Sequence, residues 1–361
     1  MVVSTTVGGI AALLASGGYL LRRKISRNWI TRSSIMMIAA QNQNQQQLAK
    51  DQTIIITGGN TGVGYETAKD LATIHSTGKI ILACRNDDAG KRAALQIRQH
   101  SGNENVGCMK LDLSSLESVR EFAKELKARE DDTKVCALIC NAGVWMPPEE
   151  EGVVQKKKTR EGFEVHFGVN HLGHFALIRS LLPLMEQSGM EDGRIVIVGS
   201  TLCKSGKIDL QKRDFVYDGR IPGADGKKSF APMGYCDSKL MNMLTSRELA
   251  ARLQESQSNV TTYCVSPGFC QSQLGRNTQL PFYKRILMRP LMRFFQRSSN
   301  QGAQNIIFTV TEDKSKLVSG AMYQDGVIWE DGVKLMDTLG DDLQKGLWDL
   351  SEELIKEKDE S

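Results

Sequence analysis

A chain of 361 residues, 40% hydrophobic and 24% charged, can bury a full core and is too well balanced to be disordered or fibrous. Its net charge of +4 is modest, and no concentrated basic stripe marks a nucleic-acid partner, which excludes that class. The 8 cysteines are scattered, several inside apolar runs, and Cys136 and Cys140 do not form a CxxC; reduced, buried thiols in a reducing compartment are expected.

The first fifty residues differ from the rest. No acidic residue precedes Asp51, and Val7–Leu21 reads VGGIAALLASGGYLL before Arg22, Arg23, Lys24, Arg27 and Arg32. About 20 apolar residues cross a bilayer. The uncharged residues 1–21 just reach that length, although glycines and hydroxyl residues weaken the run, and the basic cluster that follows extends the segment to residues 1–24. They are expected to be a hydrophobic and basic membrane anchor, with the chain behind them on the cytosolic side. A mitochondrial presequence shares this basic, acid-free composition and is the alternative. Residues 25–49, with the QNQNQQQ run, read as a linker, and residues 50–355 as one domain.

From Thr53 onward short apolar runs alternate with helical patterns. The runs are TIIIT (53–57), KIILAC (79–84), VGCMKL (106–111), VCALIC (135–140), RIVIVG (194–199) and TTYCV (261–265). They are apolar on both faces, as buried parallel strands are. Between them lie stretches such as 115–129, with Val119, Phe122, Ala123 and Leu126 on one face and Ser115 or Ser114 placed to cap it. This alternation predicts an α/β fold, a doubly wound parallel sheet of the Rossmann type with helices on both faces. EEEGVVQKKK (149–158) reads as a solvated loop, and 202–232 as a Gly- and charge-rich insertion.

Directly after the first run comes Thr57-Gly58-Gly59-Asn60-Thr61-Gly62-Val63-Gly64, and an amphipathic helical pattern opens at Val63. A strand, a glycine-rich turn and a helix N-terminus make a pyrophosphate site, because the glycines allow close backbone approach and the helix end presents free N–H groups. The residue expected to read the adenosine ribose, at the end of the second run, is Arg85 rather than an acid. A guanidinium there suits a 2′-phosphate, so NADP(H) is the expected cofactor.

Further motifs follow in order. They are Asp112-Leu113 after the third run, Asn141-Ala142-Gly143 ending the fourth, Asn170 in VNHLGHF, Ser200 after RIVIVG, Tyr235-Cys-Asp-Ser-Lys239, and Pro267-Gly268. In this order, and with TGGNTGVG upstream, the chain resembles the short-chain dehydrogenase/reductase family over residues 50 to 355. Within it, LACR (82–85), NHLGHF (170–175), YCDSKL (235–240) and LWDLSEEL near the end are similar to the retinol dehydrogenase group. The N-terminal apolar segment followed by basic residues is also typical of that group. The resemblance implies that Asn170, Ser200, Tyr235 and Lys239 are catalytic. It implies cofactor binding by Thr57, Gly58, Asn60, Thr61, Gly62, Val63, Gly64, Arg85, Asp112, Leu113, Asn141, Ala142, Gly143, Tyr235, Lys239, Pro267 and Gly268, and substrate binding by Ser200. Protochlorophyllide reductase shares the VGS, DSK and NML strings, but Phe269 stands where its cysteine directly follows the PG glycine, so a double-bond reductase is an outside alternative.

The chemistry explains the residue types. Hydride transfer to a carbonyl leaves an alkoxide that needs a proton. A phenol of pKa near 10 is a poor base at neutral pH, and a lysine one helical turn away lowers that value. Tyr235 is thus the expected acid/base, Lys239 its tuner and, by resemblance, a partner of the nicotinamide ribose. Ser200 would hydrogen-bond the carbonyl oxygen, and Asn170 would hold a relaying water. His166, His171 and His174 lack a fourth ligand and zinc-type spacing, so no metal is expected. Beyond Gly268 the chain is rich in Leu, Met, Phe and Arg, including Phe282, Tyr283, Ile286, Leu287, Arg293 and Arg297. In the resembled family this region is the substrate lid, and its apolar residues suit a lipophilic substrate; its basic amphipathic pattern also suits a membrane surface. The expected activity interconverts a hydrophobic alcohol and its aldehyde or ketone at a membrane. The endoplasmic reticulum is the expected membrane, with the mitochondrion as alternative, and a homodimer is left open. A non-catalytic NADP(H)-binding adaptor is the rival class.

Overall fold

β-Branched runs build the sheet, and their alternate side chains feed two separate apolar layers. The computed structural model describes residues 30–42, 52–129, 134–146, 158–213, 215, 232–270 and 296–359. Strands β1 (Gln52–Thr57), β2 (Lys79–Cys84), β3 (Val106–Lys110), β4 (Lys134–Cys140), β5 (Gly193–Val198) and β6 (Val260–Val265) coincide with the six runs to within a residue at each end. In β1, Ile54 and Ile56 enter one core layer and Ile55 the other, as a period of two requires.

The sheet has eight strands in the order β3-β2-β1-β4-β5-β6-β7-β8, where β7 is Met322–Gln324 and β8 is Val327–Ile328. All neighbours are parallel except β7 and β8. This is a Rossmann-type doubly wound fold with an antiparallel edge. The sequence pattern missed β7 and β8, which are three and two residues long and carry no apolar run. The strand order reverses beside β1, which pairs with β2 on one side and β4 on the other. A crevice opens at the carboxyl ends of strands at such a switch point.

Helices α2 (Gly62–Ile74) and α3 (Asp87–Ser101) pack on one face, and α4 (Leu116–Lys127) and α5 (Gly173–Gln187) on the other. In α4 the predicted face is buried, and the Ser115 hydroxyl accepts from the Ser118 N–H at 3.2 Å. Helix α6 (Met233–Glu255) is buried along most of its length and carries the YxxxK segment. Helix α7 (Ser299–Thr311), whose N-terminus is closed by a reciprocal Ser298–Gln301 capping box, packs on the same face as α2 and α3. Helices α8 (Glu330–Leu339) and α9 (Asp341–Asp359) close a third apolar cluster over α6.

Residues expected to be linker include helix α1 (Arg32–Asn42), which docks on the domain. Its Ile35 is fully buried, and Arg32, expected among the basic residues beside the membrane segment, pairs with Asp70 at 2.9 Å. Asp70 is itself inaccessible and also takes hydrogen bonds from Asn300 and Gln304 of α7. The cysteines are free, but Cys108 and Cys270 are only half buried. The apolar segment within 1–24, loop 149–157 and most of the lid region lie outside the described residues. Among the described residues, no helix is long and apolar enough to cross a membrane.

Candidate active site

The glycine-rich turn and the Asn141-Ala142-Gly143 segment meet at the switch point, and their contact explains the glycines. Gly58 has φ +65°, and a Cβ on it would lie 3.1 Å from the Ala142 backbone. A Cβ on Gly64 would fall 2.4 Å from the Asn141 amide. That amide donates to the Thr57 carbonyl at 2.9 Å, and the Ala142 N–H donates to the Thr57 hydroxyl at 2.9 Å. Helix α2 begins just after, and Thr61 at its N-cap makes no side-chain cap, so the first-turn N–H groups face the crevice end of the sheet. Val63 and Gly64 are buried, and Asn60, Thr61 and Gly62 are half-buried. Arg85 is exposed at the end of β2. Asp112 spends one carboxylate oxygen on the Ser114 N–H and hydroxyl at 3.0 and 2.7 Å, and Leu113 packs into the core.

On the other side of the crevice stands the YxxxK segment. The Ser200 hydroxyl stands beside the Tyr235 phenol and favours its ionised form; it also accepts from the Leu202 N–H at 3.3 Å, capping a short 3-10 turn. Burial pushes the phenol well above its ordinary value, and the Ser200 hydroxyl beside it opposes that rise. Lys239 lies one turn on, its Nζ 5.6 Å from the centre of the Tyr235 ring and donating to the Val198 carbonyl at 2.7 Å. Burial lowers its pKa to about 8. Pro267 and Gly268 follow β6; Gly268 has φ +77°, and the Arg297 guanidinium lies where its Cβ would be, at 2.9 Å.

Asn170 occupies a π-helical turn (Phe167–Leu172) leading into α5 and is fully buried. Its side chain accepts from the Val144 N–H at 2.7 Å and donates to the Val144 carbonyl at 3.1 Å and to Ser238 at 3.0 Å. Its carbonyl accepts from His174 Nδ1 at 3.1 Å. The side chain expected to hold a relaying water is thus committed to the backbone after β4. His174 was legible only as a weak metal candidate. With Nδ1 donating, its Nε2 takes the Thr57 hydroxyl at 2.9 Å, and burial lowers its pKa to about 4. A buried chain therefore runs from Thr57 through His174, Asn170 and Ser238 to the Tyr235 carbonyl, which the Ser238 hydroxyl reaches at 2.8 Å. Among the described residues no group of three or more His, Cys, Asp or Glu could hold a metal.

A buried phenol beside a serine hydroxyl, with an ammonium near its ring and a glycine-lined helix N-terminus across the crevice, can pass a proton to a carbonyl oxygen beside a bound dinucleotide. The sequence of the short chain dehydrogenase family matches residues 52–211. Human retinol dehydrogenase 11 is 38% identical over 304 residues, covering 84% of this chain and 85% of that protein.

The chain belongs to the short-chain dehydrogenase/reductase family.

Mouse retinol dehydrogenase 14 is 33% identical and covers 98% of this chain and 99% of its own length. In fold, this short-chain dehydrogenase also resembles the 3-ketoacyl-(acyl-carrier-protein) reductase from Brucella melitensis, solved in complex with NADH. The TM-score is 0.55 at 17% identity, over 78% of this chain and 100% of that one. The retinol dehydrogenases of the family resemble this chain over nearly the whole domain, which supports an alcohol and carbonyl oxidoreductase.

Proposed function

We propose that this chain is an NADP(H)-dependent oxidoreductase that interconverts a hydrophobic alcohol and its carbonyl compound, of retinoid, isoprenoid or fatty type, from a membrane-tethered position. The observation that carries the reading is the Ser200–Tyr235–Lys239 arrangement facing the glycine-rich turn. Bound NADPH would supply the hydride. The turn fits such a group, because its glycines leave room that a Cβ would fill and its helix end is uncapped. Arg85, exposed at the end of β2, would meet the 2′-phosphate. Ser200 would orient the carbonyl oxygen, and Tyr235 would give it the proton. The charge on Lys239 would stabilise the phenolate left behind. The names of the curated relatives support a retinoid, and residues 1–24 supply a candidate tether. The endoplasmic reticulum is the favoured membrane.

The test is oxidation of NADPH and NADH by the purified chain with retinal, decanal, an isoprenal and a ketosteroid. Turnover with NADPH of at least one is expected; none across the panel would sink the reading. Arg85→Asp should lower kcat/KM for NADPH by roughly 10- to 100-fold, the loss of a charge-assisted contact, while sparing NADH. Equal losses with both cofactors would remove Arg85 from the 2′-phosphate.

The buried lysine sets an expected pH profile. Its charge is present below about 8 and lost above. Carbonyl reduction, which needs that charge, should be level at lower pH and fall as pH passes about 8. Its folded pKa is below the ordinary lysine value, so the unfolded chain binds more protons between the two. The Lys239 contribution to stability therefore rises with pH across that window. Opposite trends in rate and in Tm above pH 8 are the expected signature, and a rate that climbs there would exclude the assigned role.

A further inference from the structure

We propose that Trp145 is a specificity-determining residue, an aromatic wall that favours flat, conjugated carbonyl compounds over saturated ones, and that Glu164 and His166 hold it there. The inference rests on the proposed function above.

Trp145 lies two residues beyond Gly143, on the stretch that leaves the carboxyl end of β4 at the crevice. Its ring centre is 4.7 Å from that of Tyr235, inclined by 53°. Core packing does not account for it, because the side chain is only half-buried. A carbonyl oxygen between Ser200 and Tyr235 obliges the rest of the substrate to leave past the rings that flank the phenol. On this side that ring is the indole. A conjugated chain is planar near its carbonyl and can lie against an aromatic face, whereas a saturated chain rotates out of plane. Such face contacts are worth roughly 2- to 12-fold in an equilibrium or rate.

The segment bearing Trp145 is held at both of its neighbours. Asn170 takes both backbone groups of Val144, and the Met146 N–H donates to His166 Nε2 at 3.0 Å. His166 must then carry its proton on Nδ1, which donates to Glu164 Oε1 at 2.7 Å. The second Glu164 oxygen accepts from the Phe167 N–H at 2.8 Å, tying the imidazole to the turn that bears Asn170. The same pair packs on α6: a Cβ on Gly234 would sit 2.9 Å from His166 Nδ1 and 3.2 Å from Glu164 Cδ. Gly234 directly precedes Tyr235. The His166 ring also meets Tyr235 edge-on, with centres 6.3 Å apart. One hydrogen-bonded pair thus sets both the start of the tyrosine helix and the place of the indole.

The test uses the full chain with NADPH and two aldehydes of equal length, trans-2-decenal and decanal. Their intrinsic reactivities differ, but that difference cancels when the ratio of kcat/KM values is compared between proteins. Trp145→Leu should lower the decenal-to-decanal ratio by roughly 2- to 12-fold. His166→Leu should shift the ratio the same way. His166→Gln, whose amide can accept from Met146 and donate to Glu164, should restore the wild-type ratio. If His166→Leu does not fold, Glu164→Gln replaces it, since it keeps the volume and removes one acceptor. An unchanged ratio in Trp145→Leu, with turnover abolished by Tyr235→Phe, overturns the wall alone. A shifted ratio in Trp145→Leu with a wild-type ratio in the His166 and Glu164 variants overturns the positioning. Turnover that survives Tyr235→Phe, or none by the wild type with either aldehyde and with the panel above, overturns the function on which the proposal rests.

Discussion

Tyr235→Phe should lower carbonyl reduction by roughly 10² to 10⁴ at unchanged fold, the usual contribution of a positioned acid/base. The substitution removes one oxygen from a side chain only 6% exposed, with Trp145 and His166 against its ring. Volume and ring contacts survive, and the partner left behind, Ser200, still accepts from the Leu202 N–H. Stability should therefore change little, which separates this variant from a folding defect. Binding of NADPH should weaken little, because the glycine-rich turn that would hold its pyrophosphate does not include Tyr235. A single-turnover experiment with prebound NADPH would show whether the hydride step itself is slowed. Reduction within a few-fold of wild type would remove Tyr235 from the proton path.

The strands and the glycine-rich turn were legible because each is written in consecutive residues. TIIIT followed by a run of glycines can form a buried strand and a tight turn whatever the rest of the chain does. The meeting of Ser200 with Tyr235 was legible only through resemblance, since 35 positions separate the two and no local period links them. His166 and His174 illustrate what stays hidden. Their partners are Met146, Glu164, Thr57 and the Asn170 carbonyl, and two of those partners are backbone groups that any residue could supply. A histidine in an apolar helical stretch therefore reads the same whether it positions a site or simply fills space. Helix α1 was read as linker because glutamine and asparagine dominate just beyond it. What orders it is remote: the buried carboxylate of Asp70 takes Arg32, and Ile35 finds a place in the core. The edge strands β7 and β8 are too short for a period of two to show.

Arg297 shows how a charge pattern misleads, and it carries the largest expected effect on stability. The sequence places it at the end of a basic amphipathic stretch, as though it faced solvent or lipid. In the fold its side chain is 7% exposed and forms a two-pronged pair with Asp325, at 2.5 and 2.8 Å. The guanidinium lies flat against Gly268, so close that any side chain there would collide with it. Arg297→Met removes the cation and leaves the Asp325 carboxylate partly buried without it. Breaking such a pair typically costs about 3–5 kcal/mol, and at about 2–4 °C per kcal/mol for a domain of this size Tm should drop by roughly 6–20 °C. The double variant Arg297→Met with Asp325→Asn should regain much of the loss, because no charge is then stranded. Asparagine suits the second site: Asp325 has φ +56°, a left-handed conformation that asparagine tolerates better than leucine. Since Arg297 also backs the turn at Pro267 and Gly268, the single variant should raise KM for NADPH, while Asp325→Asn alone, which keeps the guanidinium in place, should raise it less. Equal Tm values for the single and double variants would mean that packing on Gly268, rather than the ion pair, is what Arg297 contributes.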